Sequence, residues 1–264
     1  MNWMKKVAVA LVCLLPLGLQ AAKVDTLQVK SPSMNKSIEV VVVSPDMAAT
    51  EACPVIYLLH GYGGNARTWV GIKPDLPKIA DEKGIFFVCP DGKNTWYWDS
   101  PLNADVRYET FISDELVKYV DSHYKTVADR KGRITGLSMG GHGAMWNGLR
   151  HSDVFSAAGS TSGGVDIRPF PKNWEMSVQI GEKAKYPENW EKYTVINLVP
   201  TLRKDQIALI FDCGDSDFFL EVNKNYHEAL LKQGIDHDFI TRPGIHNTGI
   251  ILLITRSSFS GNIS

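Results

Sequence analysis

The stretch RITGLSMGGHGAMW, residues 133–146, decides how the rest of this chain is read. It sets one serine in Gly136-Leu137-Ser138-Met139-Gly140, where a β-branched segment gives way to helix-forming residues. Glycines on both flanks let neighbouring chain come close without a Cβ in the way, so G-x-S-x-G between a strand and a helix asks for a sharp corner. A strained corner of that kind suits an exposed nucleophile. The bland reading is a glycine-rich connection that only packs closely.

Outward from this corner the pattern alternates. VDTLQVKSPSMNKSIEVVVVSPD reads as two strands joined by a polar turn, and CPVIYLLHG as an apolar strand buried on both faces. PDLPKIADEKG predicts a helix closed by glycine, IFFVCPDG a strand, and YETFISDELVKYVDSHYK a helix. In that helix Ile112, Leu116, Tyr119, Val120 and His123 recur at three- and four-residue steps. Strand GRITGLS, helix GHGAMWNGLRH, strands FSAAGSTSG and QIALIFDCG, helix FLEVNKNYHEALLKQG and strand DHDFITRPG follow. Such alternation predicts an α/β fold with a mostly parallel sheet and helices on both faces. Residues 165–204, rich in Pro, Trp, Lys and Glu, break the rhythm and are expected to form an insertion over the carboxyl edge of the sheet, where open α/β sheets bind ligands.

A serine hydroxyl needs a base to take its proton and a carboxylate to orient that base. In this kind of fold they should follow in the order serine, acid, histidine, each in a loop after a strand. The strand QIALIFDCG runs into GDSDFF, offering Asp212, Asp215 and Asp217. Asp212 belongs to the strand and Asp215 to the turn, which leaves Asp217 as the expected acid, with helix capping as its bland role. His246 lies in the loop after strand HDFITRPG and is the expected base. His227, within an amphipathic helix, and His237, at the start of a strand, suit packing, while His60, His142 and His151 precede the acid. The glycine-rich turn LLHGYGGN lacks the Lys-Ser/Thr of a phosphate loop. It is the expected source of one oxyanion donor, the backbone N–H of Tyr62, and Met139 N–H is the other.

The bulk properties are compatible with this. The 264 residues are 44% hydrophobic and 22% charged with a net charge of −1, enough for one large α/β domain and without the basic field that nucleic acid would require. No repeat or low-complexity linker interrupts residues 24–243, so residues 23–264 are expected to form one domain. Ahead of it, MNWMKK supplies a positive region, VAVALVCLLPLGL an apolar core and QAA small residues. Residues 1–22 therefore read as a secretory signal. The prediction is a secreted or periplasmic protein with no membrane association after cleavage. Cys53, Cys89 and Cys213 remain, without a C-x-x-C pair or metal-like spacing, and read as buried thiols, with one disulfide among them left open. No metal or organic cofactor is expected, because no His/Cys/carboxylate cluster has ligand spacing.

Taken together, Ser138, LLHGYGG, PDG, GDSDFF and RPGIH resemble the esterase D family of α/β-hydrolases over about residues 36–246. That family includes S-formylglutathione hydrolases, carbohydrate acetyl and feruloyl esterases and mycolyltransferase-like enzymes. YETFISDELVKYVDSHYKT together with GLSMGGHGA is the specific part of the match. The resemblance implies a metal-free serine esterase working through an acyl-enzyme, with Ser138, Asp217 and His246 as triad and Tyr62 and Met139 as oxyanion donors. The stretch HNTGIILLITRSSFSGNIS departs from the family, whose base histidine is usually followed by a Trp-containing stretch and an aromatic final helix. Residues 248–264 are therefore expected to be a frameshifted terminus. Export disfavours a cytosolic thiol-dependent role and points to a glycan ester, with an acetyl or hydroxycinnamoyl group on plant polysaccharide or oligosaccharide. Trp96 and Trp98, in NTWYWDSP, are the expected aromatic wall for a sugar or feruloyl ring, and packing of the insertion is their bland role. Two alternatives stand beside this reading: a general short-acyl or thioester hydrolase, and a non-catalytic carbohydrate-binding relic in which the altered tail has dislodged His246.

Overall fold

The computed structural model describes residues 22–127 and 131–246. The expected signal segment 1–22, Ala22 apart, and the expected frameshifted tail 248–264 lie outside the described residues. Among the described residues eight strands form one sheet: β1 (Lys23–Ser31), β2 (Lys36–Ser44), β3 (Val55–Leu59), β4 (Phe86–Pro90), β5 (Gly132–Leu137), β6 (Phe155–Thr161), β7 (Ala208–Gly214) and β8 (Asp238–Arg242). Their order is β1-β2-β4-β3-β5-β6-β7-β8. The β1–β2 and β2–β4 pairs are antiparallel and all others parallel.

Every residue of β3 is buried, and the strand's side chains divide by parity. Val55, Tyr57 and Leu59 join one hydrophobic layer with Val40, Val42, Phe86 and Val88, while Ile56 and Leu58 join the other with Val41, Val43, Phe87 and Cys89. This two-sided burial is what an uninterrupted apolar run in a parallel sheet requires. At roughly 1.5–3 kcal/mol per buried aliphatic side chain, β3 alone ties both layers to the sheet. Helices Met139–Arg150 and Leu220–Gln233 cover the first layer, and helix Leu76–Lys83, ended by Gly84 in the left-handed region (φ 61°), covers the second. Cys53, Cys89 and Cys213 are buried free thiols, and burial pushes the Cys213 thiol up to about 12.

The chain leaves β3 toward β4 on one side and leaves β5 toward β6 on the other. The connections of these two neighbouring strands thus diverge, opening a crevice at their carboxyl ends, the usual ligand position of an open α/β sheet. Residues 60–64 and Ser138 sit there.

Two details depart from the sequence reading. The helix expected over YETFISDELVKYVDSHYK is interrupted by a π turn, Phe111–Glu115, between Tyr108–Thr110 and Leu116–His123. Phe111, Ile112, Leu116 and Val120 keep to the core, and buried Glu109 accepts hydrogen bonds from Trp146 Nε1 at 2.7 Å and Arg150 Nε at 2.8 Å. His123 is exposed rather than core-facing, stacked on Tyr119 at 3.9 Å.

Candidate active site

β5 runs directly into Ser138, whose φ of 55° and ψ of −117° lie in a region that costs a non-glycine residue on the order of 1–3 kcal/mol. The corner is fixed from both sides. Ser138 N–H donates to Thr161 O at 2.9 Å, and the following helix begins with His142 N–H donating to Ser138 O at 3.0 Å. The flanking glycines are required by contact: a Cβ on Gly136 would lie 2.3 Å from Gly140 O, and one on Gly140 would lie 2.2 Å from Leu59 O. Strand, helix and neighbouring strand therefore meet backbone to backbone around the serine.

Two loops bring the acid and base to this corner. Asp215 N–H donates to Arg242 O at 2.8 Å, Ser216 N–H to Gly244 O at 3.0 Å, and Gly244 N–H to Asp215 Oδ1 at 3.1 Å. The loop after β7 is thereby zipped to the loop after β8. At its end His246 places Nε2 2.8 Å from Ser138 Oγ and Nδ1 3.0 and 3.1 Å from the two Asp217 oxygens. The Asp217 side chain is fully buried, whereas that of His246 is 19% exposed. Burial alone would raise the Asp217 carboxyl; the His246 N–H and the Phe219 amide, which donates to Oδ1 at 2.8 Å, outweigh it and hold the group below its ordinary range. An ionised Asp217 accepts from Nδ1–H, which leaves the Nε2 lone pair facing the Ser138 hydroxyl.

Asp212 is buried in β7 beside Arg242 Nη1, 2.9 Å away, and Asp215 serves the loop zipper, so neither reaches the histidine. His227 and His237 contact one another, Nδ1 to Nε2 at 2.7 Å, against Phe211 and Phe239.

The HGYGG turn lies directly beside the serine, because a Cβ on Gly61 would be 3.4 Å from Ser138 Cβ. Gly64 N–H donates to Gly61 O at 3.0 Å and closes the turn, with Tyr62 exposed at its tip. Met139 is the first residue of the helix after the serine, where a backbone N–H has no carbonyl one turn back to pair with.

Trp96 and Trp98 do not form an exposed wall. They are 1% and 0% exposed, stacked on each other at 5.7 Å, and their indole N–H groups donate to Trp174 O at 3.1 Å and His142 Nε2 at 2.8 Å. Trp98 also meets Tyr193 edge to face, so the pair anchors the 165–204 segment to the core. The loop between β4 and β5 curls inward here, Trp96 and Tyr97 both taking positive φ (59° and 61°). Sequence shows aromatic residues after a strand but not the turn that buries them. The aromatic surface beside the histidine comes instead from Phe218, 50% exposed, which stacks on His246 at 4.2 Å and on Trp174 at 5.4 Å. Its signal in the sequence was only its place in GDSDFF, next to the acid.

A hydroxyl on a strained strand–helix corner, faced by an imidazole with a buried carboxylate behind it, on a parallel sheet covered on both sides, defines a serine hydrolase of the α/β-hydrolase class. The chain belongs to the esterase family, a family of carboxylic ester hydrolases, whose model, described as "Putative esterase", matches residues 31–249. It is 26% identical over 217 residues to an acetyl esterase of Caldicellulosiruptor saccharolyticus, covering 75% of this chain and 79% of that protein. It is 22% identical over 230 residues to the S-formylglutathione hydrolase of Mus musculus, covering 74% and 80%. A solved ferulic acid esterase superposes with a TM-score of 0.71 at 28% identity, covering 86% of this chain and 93% of that one.

Proposed function

We propose that this protein is an exported serine carboxylesterase that removes acetyl or hydroxycinnamoyl groups from plant polysaccharide or oligosaccharide. The observation that carries the reading is the unbroken hydrogen-bonded line from Asp217 through His246 to Ser138 Oγ. In this mechanism His246 Nε2 takes the hydroxyl proton as Ser138 Oγ adds to the ester carbonyl, and Asp217 holds the imidazolium that forms. The amides of Tyr62 and Met139 receive the oxyanion, each such donor being worth roughly 3 kcal/mol. His246 then gives its proton to the sugar oxygen as its bond to the carbonyl carbon breaks, releasing the sugar hydroxyl and leaving the acyl group on Ser138. Water, activated by the same imidazole, releases the acid.

Three observations support the substrate class. The exposed face of Phe218, stacked on the base, suits a planar acyl group. The likeness to an acetyl esterase and to a ferulic acid esterase supports acyl removal of this type. The basic and apolar pattern of residues 1–22 supports export, where glycan esters are met. A second reading, a short-acyl or S-formylglutathione-type thioesterase, is favoured by the likeness to the mouse enzyme.

Hydrolysis of p-nitrophenyl acetate, abolished in Ser138→Ala, is the expected first result, and turnover untouched by that change would sink the mechanism. Methyl ferulate, acetylated xylan and S-formylglutathione then separate the readings. Preference for the thioester would overturn the glycan assignment. Amino-terminal sequencing of the exported protein tests cleavage after residue 22.

A further inference from the structure

The geometry points to Asn94 as the positioning residue of the oxyanion turn, tying Gly63, beside Tyr62, to Glu175 of the 165–204 segment. The inference rests on the reading above, in which the Tyr62 amide receives the oxyanion.

Asn94 Oδ1 accepts Gly63 N–H at 2.9 Å, and its Nδ2 donates to Glu175 Oε2 at 3.1 Å. The two partners lie 31 and 81 residues away in sequence, so this one side chain bridges three separate segments. The amide fits in one orientation only. Flipped, it would set NH2 against the Gly63 N–H and a carbonyl against a carboxylate.

The turn needs such a tether. Gly63 takes φ 76°, and a Cβ built there meets nothing within 4 Å, so packing does not hold its outer side. The inner side of the turn is held by the Gly64 to Gly61 bond and by His60 Nδ1, 2.7 Å from Gly61 O, while at its tip Gly63 N–H is held by the Asn94 bond. The far end of the bridge is anchored in the core. Trp174 and Glu175 both adopt positive φ, 48° and 54°, and Trp174 O is held by the indole N–H of buried Trp96. A line of contacts thus runs from Trp96 through Trp174, Glu175 and Asn94 to Gly63. Burial and the Glu175 carboxylate also push the Tyr62 phenol up.

Such a residue acts on the transition state more than on the bound ester, because only the developing oxyanion depends on the amide's exact aim. The Asn94→Ala variant should lose about tenfold in kcat with KM changed less than about twofold, the signature of a misplaced rather than a missing donor. Affinity for a boronic acid that forms a tetrahedral adduct on Ser138 should fall by the same factor as kcat, and the Gly63 amide should exchange hydrogen faster. Glu175→Gln, whose amide oxygen still accepts from Asn94, should retain more activity than Glu175→Ala.

Wild-type kcat in Asn94→Ala, a loss confined to KM, or equal losses in the two Glu175 variants would overturn the assignment. Failure of the hydrolase reading looks different: wild-type protein would show no Ser138-dependent turnover. Gly63 exchange in Asn94→Ala would still decide whether this side chain holds the turn, unchanged exchange overturning it.

Discussion

Replacing Asp217 by Asn leaves the shape of the site intact and reverses the direction of one hydrogen bond. In the native protein the carboxylate accepts Phe219 N–H at 2.8 Å and His246 Nδ1–H at 3.0 and 3.1 Å, and the Ser162 hydroxyl also helps to hold it ionised. In the variant the Asn oxygen stays with Phe219, whose amide can only donate. The NH2 then occupies the other oxygen's place, about 3 Å from Nδ1, and must donate to it. Nδ1 becomes an acceptor, the imidazole proton moves to Nε2, and an N–H points at Ser138 Oγ where a lone pair is needed, 2.8 Å away. A tautomer reversal of this kind costs on the order of 10⁴ in kcat, about 5 kcal/mol of barrier. The melting temperature should shift little at neutral pH, since size and the Phe219 bond are kept. Because the native carboxyl is held below its ordinary value, the stability it contributes is present above the unfolded value and lost as pH falls. The variant should accordingly be less sensitive to acid in that range. The assay is p-nitrophenyl acetate hydrolysis with circular dichroism as the fold control. A natively folded variant within tenfold of wild type would refute the assignment of Asp217 as the group that orients His246.

Three further outcomes are expected. Burial holds the His142 imidazole down at about 4 against an ordinary 6.5, so the unfolded chain binds a proton first and stability falls as pH drops through that interval. The loss should approach roughly 3 kcal/mol in urea titrations, and His142→Gln should flatten it; an unchanged slope would rule His142 out as the source. Gly140→Ala would push a Cβ to 2.2 Å from Leu59 O and 2.6 Å from His60 O, backbone atoms that cannot swing aside. It should destabilise by roughly 3 kcal/mol, whereas Gly71→Ala, where nothing lies within 4 Å, should be neutral or stabilising by about 0.5 kcal/mol; equal melting temperatures for the two would refute the contact argument. Phe218→Ala should reduce kcat/KM for methyl ferulate by about tenfold more than for p-nitrophenyl acetate, and an equal reduction on both would show that the ring serves only His246.

The elements that sequence made legible are those governed by local rules. Residues 55–59 announced a doubly buried strand through an unbroken apolar run, and G-x-S-x-G announced the corner because only glycine fits where three backbones meet. Chain order and strand–loop rhythm then singled out Asp217 and His246 from three acids and several histidines, and the structure brings both to Ser138. The π turn at Phe111–Glu115 was hidden because the helical period is nearly the same on either side of it. Trp96 and Trp98 stay open in sequence between an aromatic wall and packing of the insertion because a loop aromatic can face solvent or core, and positive φ at Trp96 and Tyr97 decides for the core. Phe218 in GDSDFF, Asn94 in NTWYWDSP and Trp174 and Glu175 in the 165–204 segment carry no local signal of the contacts they make, because their partners lie far away in the chain.

By itself, then, the sequence determined the kind of sheet, the corner that carries the serine, and the order in which acid and base must arrive, all consequences of residue period and backbone sterics within a short window. Only the tertiary structure decided that the loops after β7 and β8 zip together to hold His246, which aromatic faces remain open, and that a loop asparagine braces the turn beside Ser138. Those features depend on contacts between residues tens of positions apart, where hydrogen-bond partners are chosen by how the layers pack and not by what stands next in the chain.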